Sequence, residues 1–127
     1  MSNTSHRYIA IGACFAGLAV IAGAFGAHAL KEILSSTMLN TYHTAVDYLL
    51  IHAIGLICLG ILNQQSPMPC HKKIFIVFIH GIGLFSGSLF VLSLTGIKWL
   101  GIITPFGGLC FIFGWLMLAL CYFKKTQ

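Results

Sequence analysis

Acidic side chains are almost absent from this chain of 127 residues. Two of its residues are Asp or Glu and seven are Lys or Arg, so charged side chains make up 7% of the sequence and hydrophobic ones 58%. A water-soluble domain needs many more polar side chains to cover its surface. Together with a mean hydropathy of +0.96, this scarcity of charge predicts an integral membrane protein and excludes a soluble domain.

Sequence motifs of nucleotide chemistry and of hydrolytic catalysis are missing as well. The chain has no nucleophile elbow, no P-loop, no glycine-rich nucleotide loop and no pair of acids. Its basic residues are scattered over the predicted loops and form no stripe, so no nucleic-acid partner is expected. We therefore expect a protein that is not an enzyme and that uses no cofactor.

The cysteines lack the pattern of a disulfide framework or of a metal site. Their number is odd and no C-x-x-C pair occurs. Most lie in apolar runs, where Cys packs as a small apolar residue. Cys70 and His71 are adjacent in a predicted loop, but two ligands do not make a metal site. We expect neither a disulfide nor a bound metal among Cys14, Cys58, Cys70, Cys110 and Cys121.

Four apolar runs are each long enough to cross the ~30 Å hydrocarbon core of a membrane at about 1.5 Å per helical residue. Lipid offers the backbone no hydrogen bonds, so these runs must be helical. The sequence therefore predicts an all-α, four-span transmembrane helical bundle that forms one integral membrane domain over residues 1–127. The predicted spans are residues 8–30, 42–62, 74–95 and 102–123.

The distribution of Lys and Arg predicts the direction of the spans, because cytoplasmic segments of membrane proteins carry an excess of these residues. One side of the membrane is expected to hold Lys31 and Lys98. The other side holds the five remaining basic residues, which are Arg7, Lys72, Lys73, Lys124 and Lys125. Both termini are therefore predicted to be cytoplasmic.

Three connections are expected between the spans. Residues 31–41 repeat apolar side chains at helical spacing, which predicts a short helix on the outer membrane surface. Residues 63–73 are polar and contain Pro67 and Pro69, which predicts a loop. Residues 96–101 form a tight connection, so the third and fourth spans are predicted to be a hairpin.

Small residues indicate where helices approach each other, because close backbone contact holds helices together in lipid. The first span carries a stripe of them at helical spacing, and the third span contains the motif Gly83-x-x-x-Gly87. Packing within one chain is the favoured interpretation. The alternative is a homo-oligomer, or a place in a larger membrane complex, with contacts through Gly12, Ala16, Gly23, Gly83 and Gly87.

The stretch TYHTAVDYLLIH, residues 41–52, concentrates polar groups in an apolar span. His43 and Asp47 are four residues apart, and so are Tyr48 and His52. At about 100° per residue each pair shares one helix face, and the two faces are nearly opposite. The stretch therefore predicts two separate sites.

Depth in the membrane relates these residues to the other spans. We expect His28 at the depth of Asp47 near the outer surface, and Ser86 and Ser88 at the depth of His52 near the middle. An ionisable residue inside a span is costly and is a candidate for function. The candidate functional residues are His28, Asp47, Tyr48, His52, Ser86, Ser88 and Thr104.

Two hypotheses on function follow. In the first, the polar side chains pin the helices together, with His52 as a neutral imidazole bonded to a Ser hydroxyl of the third span. The protein is then a structural or accessory membrane protein. In the second, carboxylate and imidazole groups relay protons or cations, and the protein is a small transporter or channel for protons, cations or a small solute. Metal binding is not favoured, because H-x-x-x-H spacing is missing.

Five stretches, taken together, carry a resemblance to a known family. They are GAFGAHAL (23–30), TAVDY (44–48) followed by His52-Ala53, LFSGSLF (84–90), TPFGG (104–108) and Gly114-Trp115. In this combination the chain resembles the YgdD/YwdK-like small bacterial membrane proteins, domain-of-unknown-function family 423. The resemblance runs through all four spans. It implies a four-span protein of the bacterial inner membrane without an assigned activity.

The resemblance also marks individual positions. Asp47 stands where some relatives are acidic, whereas His43 lies outside the family pattern and Leu49 replaces a Gln that often follows the Tyr. We therefore favour Tyr48 and His52 over the carboxylate as the functional part of the stretch. The family-like positions are His28, Tyr48, His52, Ser86, Gly87, Ser88, Thr104, Pro105, Gly107 and Gly108.

Overall fold

The computed structural model describes residues 3–125, and the side chains of residues 3–124. Helices make up nearly all of this part, and it contains no strand. The α-helices are α1 (Asn3–Ala27), α2 (Ser36–Gln65), α3 (Pro69–Gly81), α4 (Ser88–Thr95) and α5 (Thr104–Lys125). A π-helical turn, Ile82–Gly87, joins α3 and α4 into one continuous third span.

Four helical segments of the described chain are long and apolar enough to cross a membrane. Each contains an 18-residue stretch with a mean hydropathy of at least 2.0. They correspond to α1, α2, the third span and α5 with the short 3-10 turn that precedes it, Lys98–Ile102. The prediction of an all-α, four-span bundle is confirmed.

The second span begins earlier than the sequence predicted. The Ser35 side chain accepts a hydrogen bond from the backbone N–H of Met38 at 3.3 Å, so Ser35 caps the N-terminus of α2. Residues 36–41 are therefore the first turns of α2, and the expected surface helix over residues 31–41 is wrong. The connection from α1 contains only one short 3-10 turn, Leu30–Glu32.

The predicted loop over residues 63–73 is also wrong, because most of it is helical. α2 continues to Gln65, and only residues 66–68 connect it to α3. Pro69 occupies the first turn of α3, where a missing backbone N–H costs nothing and the fixed φ favours a helix. Proline therefore starts a helix here, which moves Asn63 and His71 from a loop into the bundle.

The hairpin between the third and fourth spans is present as expected. α4 ends at Gly96, which has a φ of 73° and donates its N–H to the carbonyl of Leu92 at 2.8 Å. Glycine adopts this left-handed conformation without steric cost. The 3-10 turn Lys98–Ile102 then leads directly into α5.

The two central elements are α2 and the third span. α1 packs along α2, and α5 packs along the third span, so α1 and α5 flank the bundle and are mostly exposed toward lipid. Large apolar side chains fill the space between α2 and α3. The largest that are fully buried are Phe78, Leu56, Leu59 and Ile74.

Small residues of α1 are used for packing within the chain. A Cβ added at Gly12 would lie 2.8 Å from the carbonyl oxygen of Ala53, and one added at Gly23 would lie 3.5 Å from Val46. The α1 backbone therefore rests on α2. By contrast, a Cβ added at Gly83 would meet no atom within 4 Å, so that glycine faces open space beside the third span.

Candidate functional site

His52 lies in the middle of α2 and is buried between α2, α3 and α5, with only 3% of its surface exposed. Its ring atom Nδ1 lies 2.7 Å from the carbonyl oxygen of Tyr48, one turn earlier in α2. Its Nε2 lies 3.1 Å from Nε1 of Trp115 in α5. The Tyr48 carbonyl lies within reach because it is one helical turn before His52. The contact with Trp115 instead requires α5 to pack against the middle of the bundle.

The two partners determine the protonation of His52. A carbonyl oxygen only accepts hydrogen bonds and an indole N–H only donates them. Nδ1 therefore donates to the Tyr48 carbonyl and Nε2 accepts from Trp115, which requires the neutral imidazole with its hydrogen on Nδ1. A proton on Nε2 would face the Trp115 N–H and break this bond. His52 thus joins α2 to α5 as a neutral and fully hydrogen-bonded group.

The expected hydroxyl partner of His52 is wrong. Ser88 instead lies 2.7 Å from the hydroxyl of Thr104 and donates to the carbonyl oxygens of Leu84 and Phe85 in its own span. Ser88 therefore forms its hydrogen bonds within the third span and with Thr104 at the start of α5. Trp115 replaces the serine as the partner because its long side chain reaches from α5 to mid-bundle.

Aromatic rings enclose the His52 imidazole. The Phe111 ring is nearly parallel to it, with ring centroids 3.4 Å apart and planes inclined by 11°. Phe78 approaches with its edge at 5.3 Å, and the Tyr48 ring is stacked at 6.1 Å. The imidazole therefore contacts aromatic rings rather than a carboxylate or a second histidine.

Two glycines of α5 permit this packing. A Cβ added at Gly114 would lie 2.7 Å from Cδ1 of Phe78, and one added at Gly107 would lie 2.7 Å from the carbonyl carbon of Leu84. Both distances are shorter than an ordinary carbon–carbon contact. α5 can thus approach the third span only where it has no side chain. Gly107 makes its contact at the π-helical turn, and Gly114 makes its contact next to Trp115.

The outer polar residues do not form the cluster that the sequence suggested. Asp47 and His28 are exposed and His43 is half-buried. Within residues 3–125, Asp47 has no ion pair or hydrogen bond with either histidine. Tyr48 instead turns its ring toward Phe85, at a centroid distance of 4.4 Å. The two halves of the stretch therefore have different surroundings: the Tyr48 ring covers part of the His52 site from the outside, and of these residues only His52 is buried in the bundle.

A second polar cluster, which we call the inner cluster, lies at the other end of the bundle and consists of Ser5, Asn63, His71 and Tyr122. Nδ2 of Asn63 donates to the Ser5 hydroxyl at 2.9 Å, and Oδ1 of Asn63 lies 3.1 Å from Nδ1 of His71. The Tyr122 hydroxyl lies 3.4 Å from Nε2 of His71. Since these residues belong to α1, α2, α3 and α5, the inner cluster ties all four spans together.

A disulfide joins Cys70 in the first turn of α3 to Cys121 in the last turns of α5. The expectation of no disulfide is therefore wrong. The sequence could not show it because the pair is 51 residues apart and forms no recognisable spacing. Cys14, Cys58 and Cys110 are free. The disulfide lies beside the inner cluster, since Cys70 and His71 are neighbours.

Metal ligands do not gather in the described part of the chain. No three side chains of His, Cys, Asp or Glu lie close enough there to hold an ion. Cys70 and His71, the adjacent pair in the sequence, are used in the disulfide and in the inner cluster. The structure therefore offers no support for a metal centre at these positions.

The cavity nearest to His52 has a volume of about 350 Å³ and opens between α2 and α5. It does not include Asp47, His43 or His28. No charged side chain lines it. The lining residues are Tyr48, Ile51, His52, Phe85, Gly108, Phe111, Ile112 and Trp115.

The sequence did not predict Trp115, Asn63 or the inner cluster as structural partners. A signal for Asn63 was available, since His52, Leu56, Leu59 and Asn63 follow helical spacing and all are buried. Pro67 and Pro69, which follow Asn63, instead favoured the prediction of a loop over these residues. For Trp115 the only signal was the Gly114-Trp115 pair itself.

Comparison with known proteins identifies the family. The family described as "Protein of unknown function (DUF423)" matches residues 22–108, which include α2, the third span and the beginning of α5. The chain belongs to this family. The match covers Tyr48, His52 and Gly107, and it ends before Trp115.

Curated relatives extend the similarity over most of the chain. A UPF0382 membrane protein of Staphylococcus saprophyticus is 43% identical over 117 residues, 92% of this chain and 97% of its own. One of Staphylococcus haemolyticus is 42% identical over 92% and 95% of the two chains. YwdK of Bacillus subtilis, also a UPF0382 membrane protein, is 42% identical over 92% and 96%. No solved structure matches the chain. The relatives show a bacterial membrane protein, and their names assign no activity.

Proposed function

We propose that this protein is a non-enzymatic accessory protein of the bacterial cytoplasmic membrane, a rigid four-helix unit that associates with a larger membrane assembly. The observation that carries this proposal is the way in which buried polar side chains are used. His52 bonds to Trp115, Ser88 bonds to Thr104, and Asn63 bonds within the inner cluster. Each of these bonds connects two spans, which is the role of interhelical polar contacts in membrane proteins.

The arrangement gives little support to the transport hypothesis. A proton or cation relay needs ionisable groups that exchange partners along a continuous path. Both nitrogens of His52 have fixed partners, and the cavity beside it is lined by no carboxylate, no lysine or arginine and no second histidine. Asp47 is exposed and lies away from that cavity. The groups required for a relay are therefore separated.

Orientation forms part of the proposal. The basic residues at the inner-cluster end of the bundle support cytoplasmic termini, since Arg7, Lys72 and Lys124 lie in the helical turns nearest to that end. A cysteine introduced at Lys98 should react with a membrane-impermeant maleimide in intact cells, and one introduced at Lys72 should react only after permeabilisation. The reverse pattern would refute this orientation.

The accessory role is tested by native mass. The protein carrying an affinity tag is expressed at its natural level and solubilised in a mild detergent, and its assembly is separated by native electrophoresis. We expect a species several times heavier than the 13.8 kDa chain, with a second polypeptide in fixed stoichiometry. A homogeneous monomer in several mild detergents would contradict the proposal. A ladder of multiples of the chain mass would instead indicate a homo-oligomer.

Transport is tested on the same purified protein in liposomes. We expect no flux of protons, of monovalent cations or of divalent cations above that of protein-free liposomes. A flux that disappears in the His52→Ala variant and persists in a surface variant such as Lys98→Ala would overturn the proposed function and restore the transport hypothesis.

A further inference from the structure

A lateral groove of about 520 Å³ runs between α1 and the third span on the side of the bundle away from the His52 cavity. α2 forms its floor through Tyr42 and Leu49. The groove contains no charged side chain. Its other lining residues are Phe15, Leu18, Ile21, Ala22, Phe25, Ile82, Gly83, Ser86, Gly87, Phe90 and Leu94.

The groove occupies only the outer half of the bundle. At the inner end, Tyr8 of α1 stacks on Phe75 of α3 with ring centroids 4.1 Å apart, and this contact brings α1 and the third span together. Above it, the α1 wall runs from Phe15 to Phe25, which corresponds to about 15 Å of helix. This length matches one leaflet, or half of the ~30 Å hydrocarbon core.

Ser86 lies in the wall of this groove and has an unusual hydroxyl. It is 1% exposed, and its Oγ has no hydrogen-bond partner within the described chain. Other hydroxyls of the third span do not share this property: Ser88 bonds to the Leu84 carbonyl and Ser93 to the Phe90 carbonyl. Serine in a helix usually finds such a carbonyl. Ser86 is in the π-helical turn, where the backbone pairing is displaced.

A ligand of the groove can supply the missing partner when the Ser86 side chain rotates toward the groove, since its Oγ is otherwise covered by protein atoms. An unpaired hydroxyl in an apolar site costs free energy that a hydrogen bond from a bound molecule would recover. The terminal part of a phospholipid acyl chain has no polar atom at this depth. The occupant must therefore carry an oxygen or nitrogen atom well inside the membrane.

The walls restrict the chemistry of that occupant further. Since the groove has no charged residue, the ligand must be neutral. Phe15, Phe90 and Tyr42 offer ring surfaces on which a flat group can stack. Gly83 and Gly87 leave space beside the Ser86 wall, since a Cβ on Gly83 would touch nothing and one on Gly87 would have only the Ile82 carbonyl at 3.8 Å.

We propose that this groove binds a lipid quinone, a neutral flat ring with an apolar tail, whose carbonyl oxygen accepts a hydrogen bond from Ser86. The ring lies between α1 and the π-helical turn, and the apolar tail passes through the open side of the groove into the surrounding lipid. This inference is independent of whether the protein belongs to a larger assembly.

A transmembrane helix of another protein fits this groove poorly. A helix with its side chains is about 10 Å across, so a 15 Å length occupies roughly 1,200 Å³, more than twice the 520 Å³ of the groove. A spanning helix would also have to pass the Tyr8–Phe75 contact, which closes the inner end.

The test uses the full-length protein in nanodiscs of synthetic phosphatidylcholine that contain no quinone. A radiolabelled benzoquinone with one isoprene unit is titrated in, and binding is measured against empty nanodiscs, which report simple partitioning. We expect saturable binding of one quinone per protein. Binding that is indistinguishable from that of empty nanodiscs would overturn the proposal.

Three variants locate the site. Ser86→Ala removes the hydroxyl and is expected to raise the Kd about threefold to tenfold. Gly83→Leu fills the groove and is expected to weaken binding about tenfold or more. Gly17→Leu is the matched control, because a Cβ there also meets nothing within 4 Å and Gly17 is not part of the groove. It should bind as the unaltered protein does.

The outcomes separate the alternatives. Equal binding by the Gly83→Leu and Gly17→Leu variants would place the quinone elsewhere and refute the proposal. Unchanged binding in the Ser86→Ala variant would refute the role of the hydroxyl. Native mass spectrometry provides an independent check, since a tightly retained phospholipid that the quinone does not displace would identify the groove as an acyl-chain site instead.

Discussion

The indole N–H of Trp115 lies 3.1 Å from Nε2 of His52 and joins the fourth span to the second across the middle of the bundle. His52 uses its other nitrogen for the Tyr48 carbonyl, so one neutral imidazole satisfies both its own polar atoms and the indole. α5 has few buried positions of its own. This bond and the ring contacts around it therefore contribute much of what fixes α5 in register with α2.

Replacing Trp115 by Phe should destabilise the bundle. The substitution keeps an aromatic ring but removes the N–H, so Nε2 of His52 is left without a donor in an apolar interior. We expect the free energy of unfolding to fall by about 1–2 kcal/mol, measured as a lower thermal midpoint in detergent. Trp99, which is 62% exposed, provides the control, and Trp99→Phe should change the midpoint little. Equal shifts in both variants would contradict the assigned bond.

Replacing Gly107 by Ala should disturb the contact between α5 and the π-helical turn. The added Cβ would lie 2.7 Å from the carbonyl carbon of Leu84, so the backbones must separate. We expect a loss of about 1–3 kcal/mol, as for overpacked interiors. Gly17→Ala introduces the same methyl group where nothing lies within 4 Å, and it should be neutral or slightly stabilising because Ala favours helix. A neutral Gly107→Ala variant would show that the close approach is unimportant.

The number and class of the helices could be predicted from the sequence because they depend on local properties. A run of about twenty apolar residues must be helical in lipid whatever its neighbours are. The same reasoning identified Tyr48 and His52 as one helix face and separated them from Asp47. The spacing of residues within one helix was sufficient for this.

Contacts between spans could not be predicted in the same way. Helical periodicity indicates which residues share a face but not which helix packs against that face, so Trp115 was missed as the partner of His52. The depth of Ser88 suggested a hydroxyl partner for His52, but its bonds go to Thr104 and to its own helix. The π-helical turn was equally hidden, and so was the close contact that Gly107 of α5 makes with it.

Replacing Asn63 by Leu should break the inner cluster, because the leucine side chain has a similar size but no hydrogen-bonding atoms. Ser5 would lose its donor and His71 would lose the Asn63 amide oxygen, and both are fully buried. We expect a loss of about 2–3 kcal/mol, because two buried polar groups lose a partner together. Gln64→Leu, at an exposed neighbouring position, is the control. Similar thermal midpoints for the two variants would show that the cluster is not stabilising.

The disulfide between Cys70 and Cys121 gives a direct chemical prediction. Under non-reducing, denaturing conditions, alkylation should modify the three free thiols, Cys14, Cys58 and Cys110. After reduction it should modify all five cysteines. Mass spectrometry of the intact chain counts the alkyl groups. Five alkyl groups without reduction would mean that the disulfide does not form under the conditions of expression, and Cys58→Ser should lower both counts by one.

Replacing Asp47 by Asn separates the two hypotheses on function. Asp47 is exposed and has no ion pair or hydrogen bond with His43 or His28 within residues 3–125. An accessory protein should therefore tolerate the loss of its charge, with a change in unfolding free energy within about 0.5 kcal/mol and an unchanged native mass. His52→Ala should lower both the thermal midpoint and the yield of the assembly, because it removes the link between α2 and α5. If Asp47→Asn instead abolished an activity while leaving the thermal midpoint unchanged, the carboxylate would act chemically and the accessory interpretation would be wrong.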